Sequence, residues 1–144
     1  MSRVLGEHWA LPALDDRNRA FFTAGVLSFQ QCADCAHVQH PPEDVCEACR
    51  SFSFRVFESA GHGRVESVIV VHHPIHPGMA EVVPYAVVSV AVDDVPGVLV
   101  TGNVTNRAPD AIAIGDRVEV TFEEVVDPKT EVRLRIPQWR VVPA

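Results

Sequence analysis

Four cysteines constrain this chain more than any other feature. Cys32, Cys35, Cys46 and Cys49 form two C-x2-C pairs with ten residues between them, and no other cysteine occurs in the 144 residues. Each pair is a short chelating turn that supplies two adjacent corners of a tetrahedron, so the two pairs complete a four-thiolate site with no ligand left over. The predicted metal ligands are therefore Cys32, Cys35, Cys46 and Cys49, with zinc as the first metal; a rubredoxin-type iron would use the same set. Two disulfides would suit a secreted chain, but no secretory leader opens this one. A thioredoxin-like redox pair needs one C-x2-C at a strand-to-helix junction, whereas both pairs here lie in loop-like sequence. Knuckles of this kind usually carry glycine just after the second cysteine, where positive φ is favoured. Ala36 and Arg50 stand at those places.

The ribbon around these ligands, 29–54, is too small to bury a self-sufficient core. The metal is expected to contribute much of its folding energy, about 10–16 kcal/mol for comparable zinc peptides. Ahead of it, 1–14 reads as irregular, and a helix is predicted over 15–24, capped by Asp15 or Asp16 and ended by Gly25 in the left-handed conformation. Phe21 and Phe22 give that helix an apolar side, which either packs on its own chain or docks on another subunit. Alternation over 26–31, with Leu27 and Phe29 on one face, predicts a short strand leading into the first cysteine turn.

From Ser53 onward the pattern is one of successive strands: 54–58, 64–72, 85–92, 98–104, 118–126 and 132–142, with a sharp turn at Gly61-His62-Gly63 and a short helical turn over 110–114 ending at Gly115. Five to six strands with a helical link between the third and fourth of the barrel describe a small Greek-key barrel of the OB type. The predicted fold is thus mainly β: an N-terminal segment and helix (1–28), a rubredoxin-like zinc ribbon (29–54), and an OB-fold barrel (55–144).

The formal charge of −7 opposes unspecific attraction to polyphosphate. No apolar run approaches the ~18 residues of a membrane span, and a cytoplasmic location is expected. No Gly-rich phosphate loop, nucleophile elbow or paired carboxylates appear, so no catalytic residue is assigned. Glu123 and Glu124 read as a solvated strand end. His72, His73 and His76 place three imidazoles in one Pro-stiffened loop, without the spacing of a metal-binding helix; a surface contact is the expected role. Arg133, Arg135 and Arg140 with Trp139 form a basic-aromatic stretch that reads as surface solubility, with a phosphate grip as the sharper reading.

Taken in order, CADCAHVQHPPEDVCEAC, the E-S-x-G-x-G-x-V segment from Glu58 to Val65, the V-V-H-H-P turn and Val83-Pro84-Tyr85 resemble a known family. It is the zinc-ribbon/OB-fold acyl-CoA-associated family, long catalogued as the thirty-fifth domain of unknown function. The likeness runs from about Asp15 to Arg140, and the F-x-Q-C approach to Cys32 belongs to it. The resemblance implies an accessory subunit of a hetero-oligomer whose partner is a thiolase-like enzyme, such as a thiolase or a steroid side-chain retro-aldolase. Some members are fused to or paired with a MaoC-like hydratase. It further implies that catalytic residues lie mainly on the partner, while the OB portion shapes the site or helps hold an acyl-CoA. The residues that would contact that ligand are not assigned. The alternative reading is a single-stranded nucleic-acid-binding module, against which stand the charge and the presence of only one Tyr and two Trp.

Overall fold

The computed structural model describes residues 9–144. Of the stretch 1–14 expected to be irregular, 1–8 lies outside the described residues and 9–14 forms no helix or strand. The chain forms one short helix, α1 (Arg19–Thr23), and eight strands: β1 (Ser28–Cys32), β2 (Val38–Gln39), β3 (Phe54–Glu58), β4 (His62–Val71), β5 (Tyr85–Val92), β6 (Leu99–Gly102), β7 (Arg117–Val126) and β8 (Arg133–Val141). Two sheets result. The first is three-stranded, in the order β2-β1-β3; the second is five-stranded, in the order β6-β5-β4-β7-β8, with a 3-10 turn at Pro109–Ala111 linking β6 to β7.

The five-stranded sheet curls into a nearly closed barrel, as the OB reading requires. Its margins meet where the Trp139 amide donates to the Asn103 carbonyl (2.8 Å) and the Thr105 amide donates to the Trp139 carbonyl (2.9 Å). Strand β5 shows why these residues fold so: Ala86, Val88, Val90 and Val92 alternate into the interior, where β-branched side chains pack well on a pleat. Val65, Val100, Val118 and Trp139 complete the core, and Leu27 and Phe29 from the ribbon side belong to the same buried cluster. Ribbon and barrel thus share one apolar interior. β3 pairs with β1 over its whole length, from Ser28 opposite Glu58 to Cys32 opposite Phe54, and so belongs to the ribbon's sheet.

Two sequence expectations change in detail, one element was not expected, and one open choice is decided. The helix is shorter than 15–24, because Asp15 and Asn18 hydrogen-bond the backbone locally: Asp15 Oδ1 accepts from the amides of Arg17 (2.9 Å) and Asn18 (2.8 Å), and Asn18 Oδ1 accepts from the Asp15 amide (2.8 Å). The turn before β4 is narrower than Gly61-His62-Gly63. Gly61 takes φ +78°, whereas Gly63 already lies in β4, and a Cβ there would stand 2.5 Å from the Ala91 carbonyl oxygen. Close approach of β4 to β5 requires that glycine. β2 escaped sequence reading because two residues carry no periodicity. Finally, α1 has a home on its own chain. Phe21 lies against Phe29 and His40 (ring centroids 6.5 and 4.7 Å), and Phe22 stands edge-on to Phe21. Among the described residues no helix is long and apolar enough to cross a membrane.

Candidate metal centre

Each cysteine pair closes the same hydrogen-bonded knuckle. In the first, the Ala36 amide donates to the Cys32 carbonyl (3.0 Å) and the Cys32 amide donates to the His37 carbonyl (2.8 Å). In the second, the Arg50 amide donates to the Cys46 carbonyl (2.9 Å) and the Cys46 amide donates to the Ser51 carbonyl (2.9 Å). Ala36 and Arg50 both take φ 66°, the left-handed conformation that glycine usually supplies at these places. The knuckle geometry therefore persists without glycine, and carries the steric cost of two Cβ atoms.

The knuckles face each other across the end of the three-stranded sheet. The Sγ atoms of Cys32 and Cys49 are 3.5 Å apart, those of Cys35 and Cys46 are 3.6 Å apart, and all four lie within 4.8 Å of one another. A regular tetrahedron with zinc–sulfur bonds near 2.3 Å has edges of about 3.8 Å, so the four sulfurs converge at the right scale for one ion. Cys32 and Cys46, the first of each pair, are buried; Cys35 and Cys49 are exposed. The amide of Cys35, with that of Asp34, favours the thiolate of Cys32 against its burial and brings its pKa down to about 6. The Ser51 amide favours the thiolate of Cys49 too, yet the neighbouring sulfurs, Cys32 first, push that thiol up to about 12. Four adjacent sulfurs resist joint ionisation in the absence of a cation, and a divalent soft metal is the chemistry that relieves this.

A polar frame fixes the second knuckle to the first. Gln39 is buried on β2; its Nε2 donates to Gln30 Oε1 (2.8 Å) and to the Val45 carbonyl (3.1 Å), and its Oε1 accepts from the Glu47 amide (2.9 Å). His37 Nε2 meets Glu47 Oε1 at 2.7 Å, and Ser51 Oγ hydrogen-bonds Asp34 Oδ2. Glutamine in a two-residue strand gave no sequence signal for this role. Beside the ribbon, a groove of about 290 Å³ opens between α1 and β3; Phe21, Phe29, Phe54 and Val56 line it together with the exposed Arg17 and Arg55.

Residues 23–55 match the family described as the ChsH2 rubredoxin-like zinc ribbon domain, and residues 57–123 match the ChsH2 C-terminal OB-fold domain. A DUF35 domain-containing scaffold protein of Methanothermobacter thermautotrophicus is 31% identical over 100 residues, 69% of this chain and 73% of that protein. The chain belongs to the DUF35 family. This DUF35 chain is also 37% identical over 132 residues to a probable enoyl-CoA hydratase alpha subunit of Thermomonospora curvata; the match takes in 90% of the chain but only 39% of that longer protein. Among solved structures it is similar to a chain of the Ltp2-ChsH2(DUF35) aldolase, with a TM-score of 0.76 and 36% identity, covering 91% of this chain and 98% of that one.

The other sequence-named residues are placed otherwise than as sites. Among the described residues, the cysteines are the one group of His, Cys, Asp and Glu side chains close enough to hold a metal; His72, His73 and His76 are not gathered. His72 and His73 are exposed, while His76 Nδ1 accepts from the Gly78 amide (2.9 Å) at the start of a 3-10 turn and its ring meets Trp9 edge-on. The basic-aromatic stretch is not an open grip. Trp139 is fully buried in the barrel with its indole N–H unpartnered, Arg133 and Arg135 pair with Glu124 (3.3 and 3.4 Å), and Arg140 pairs with Glu119. Glu123 is not a solvated strand end: it is 3% exposed and accepts from Gln138 Nε2 (3.3 Å). Register explains the error, since Glu123 stands opposite Ile136 in the β7–β8 pair, on the strand that α1 packs against.

Proposed function

We propose that this chain is a non-catalytic, zinc-binding OB-fold subunit that associates with a thiolase-like enzyme, a thiolase or retro-aldolase, and supports acyl-CoA binding or site assembly there, in lipid or steroid metabolism. The observation that carries the reading is similarity along nearly the whole chain to a chain of the Ltp2-ChsH2(DUF35) aldolase, joined to four convergent cysteines in the matching ribbon. Cys32, Cys35, Cys46 and Cys49 would hold zinc, whose chemistry here is that of a closed structural clip with every ligand position filled by thiolate. The division into 1–28, 29–54 and 55–144 belongs to the same reading, with the metal fixing the ribbon against the barrel core through Leu27 and Phe29.

The groove beside the ribbon supports the acyl-CoA part of the proposal. Its aromatic and aliphatic walls suit an apolar chain; of its two exposed arginines, Arg17 is paired with Asp44 (3.3 Å) and Arg55 Nε donates to Gln31 Oε1 (2.8 Å), so a phosphate there would take guanidinium donors from those partners. Similarity to a hydratase alpha subunit supports a MaoC-like partner as a second enzyme of the same assembly. Reconstitution tests the proposal. Acyl-CoA turnover by the thiolase-like enzyme is expected to require this chain, which alone turns nothing over. Full turnover by the enzyme without it would overturn the accessory role.

A further inference from the structure

Among the described residues, half of one margin of β4 has no strand beside it. β4 is paired with β5 from Gly63 to Val71, but β7 covers its other side only at His62, Gly63 and Arg64. Beyond the Val65 contacts with Gly115 and Asp116, Ser67–Val71 make no backbone hydrogen bond among the described residues except those to β5. The uncovered run reads Ser67-Val68-Ile69-Val70-Val71, uncharged and rich in β-branched side chains. Proteins blunt such margins with charges, prolines or covering loops, because free N–H and C=O groups recruit another strand. Here the one such device is the bulge between Val65 and Ser67, which precedes the run. Ile69, in the middle of it, is 61% exposed.

Of the other margins, β6 and β8 close on each other through Val104 and Trp139, β2 has two residues, β3 carries the exposed charges Arg55 and Glu58, and β7, unpaired with β4 beyond Glu119, carries Glu123 and Glu124. The margin of β4 also fits itself. An antiparallel pairing of two copies centred on Ile69 sets Ile69 against Ile69, Val68 against Val70 and Ser67 against Val71. At each end it sets the Glu66 carboxylate of one copy against the His72 imidazole of the other. Opposed β-branched residues and an acceptor facing an N–H donor are the favourable cross-strand pairs, and no like charges meet.

We propose that β4 is a dimer seam: the margin from Glu66 to His72 pairs antiparallel with the same margin of a second copy, in register about Ile69. The pairing joins the two five-stranded sheets into one and leaves the cysteine ribbons outside it. It stands independently of the enzyme-partner reading above.

Sedimentation equilibrium of the zinc-loaded full chain over a range of concentrations tests it. A monomer–dimer equilibrium is expected, and Ile69→Lys should remove the dimer while the monomer keeps the wild-type circular dichroism spectrum and loses only the concentration dependence of its melting temperature. Glu66→Lys should weaken the dimer, and adding His72→Glu should restore it, a rescue that a merely structural role for either residue would not give. A wild-type chain that stays monomeric throughout, or a dimer that survives Ile69→Lys, would overturn the seam. So would a monomer in which Ile69→Lys instead abolishes binding to a purified enzyme partner, since that outcome gives the margin to the enzyme.

Discussion

Ala36 and Arg50 each hold φ at 66°, where a Cβ crowds the carbonyl that follows it. That conformation costs a non-glycine residue about 1–2 kcal/mol, and the extra freedom glycine has when unfolded offsets about 0.5–1 kcal/mol of any gain. Ala36→Gly and Arg50→Gly should therefore each stabilise the zinc-loaded chain by roughly 0.5–1 kcal/mol. Denaturant unfolding reads this directly, and a lower midpoint in either variant would contradict the strain argument. His40 makes a different prediction. Its ring lies between Phe21 and Phe29, and burial holds its pKa below the ordinary 6.5. The folded chain keeps the imidazole neutral, so on acidification the unfolded chain takes up the proton first. The stability this group contributes is intact above pH 6.5 and declines as pH falls from there through the depressed value. His40→Phe should flatten that decline; parallel pH–stability curves for the two proteins would rule it out, because thiolate protonation is common to both.

At the scale of elements, the ribbon depends on its clip and the barrel does not. Chelation should remove the order of β1, β2 and β3 and release Phe21 from its aromatic cluster, while the valine core of β4 to β8 keeps its strand signal. Amide exchange of the apo chain checks this: uniform loss of protection across both sheets would show that the metal holds the whole molecule. The elements differ in how readable they were. Cysteine spacing announced the ribbon because metal ligation demands fixed residue types at fixed intervals. Alternation announced β7 because one face of it packs inward, and a run of β-branched residues announced β5. Pairing was not readable in the same way. Sequence located 54–58 as a strand but not its partner β1, and the burial of Glu123 follows from what stands opposite it across two strands. The helix was overread because Asp15 and Asn18 serve a helix start and a local turn equally well.

The molecule as a whole is a carrier of surfaces: a four-cysteine ribbon, a groove between helix and ribbon, and a barrel whose core takes in Leu27 and Phe29. The family was legible from the order of its motifs, while Gln39, which ties one knuckle to the other, was invisible until β2 was seen. The proposal's centre is that such a chain works only beside an enzyme. Pull-down of the tagged chain from its native lysate, with mass spectrometry of the bound proteins, tests this most directly. Stoichiometric recovery of a thiolase-like enzyme is expected, together with zinc bound to the bait at one ion per four cysteines. Recovery of nucleic-acid machinery in place of that enzyme, or of the bait alone, would contradict it.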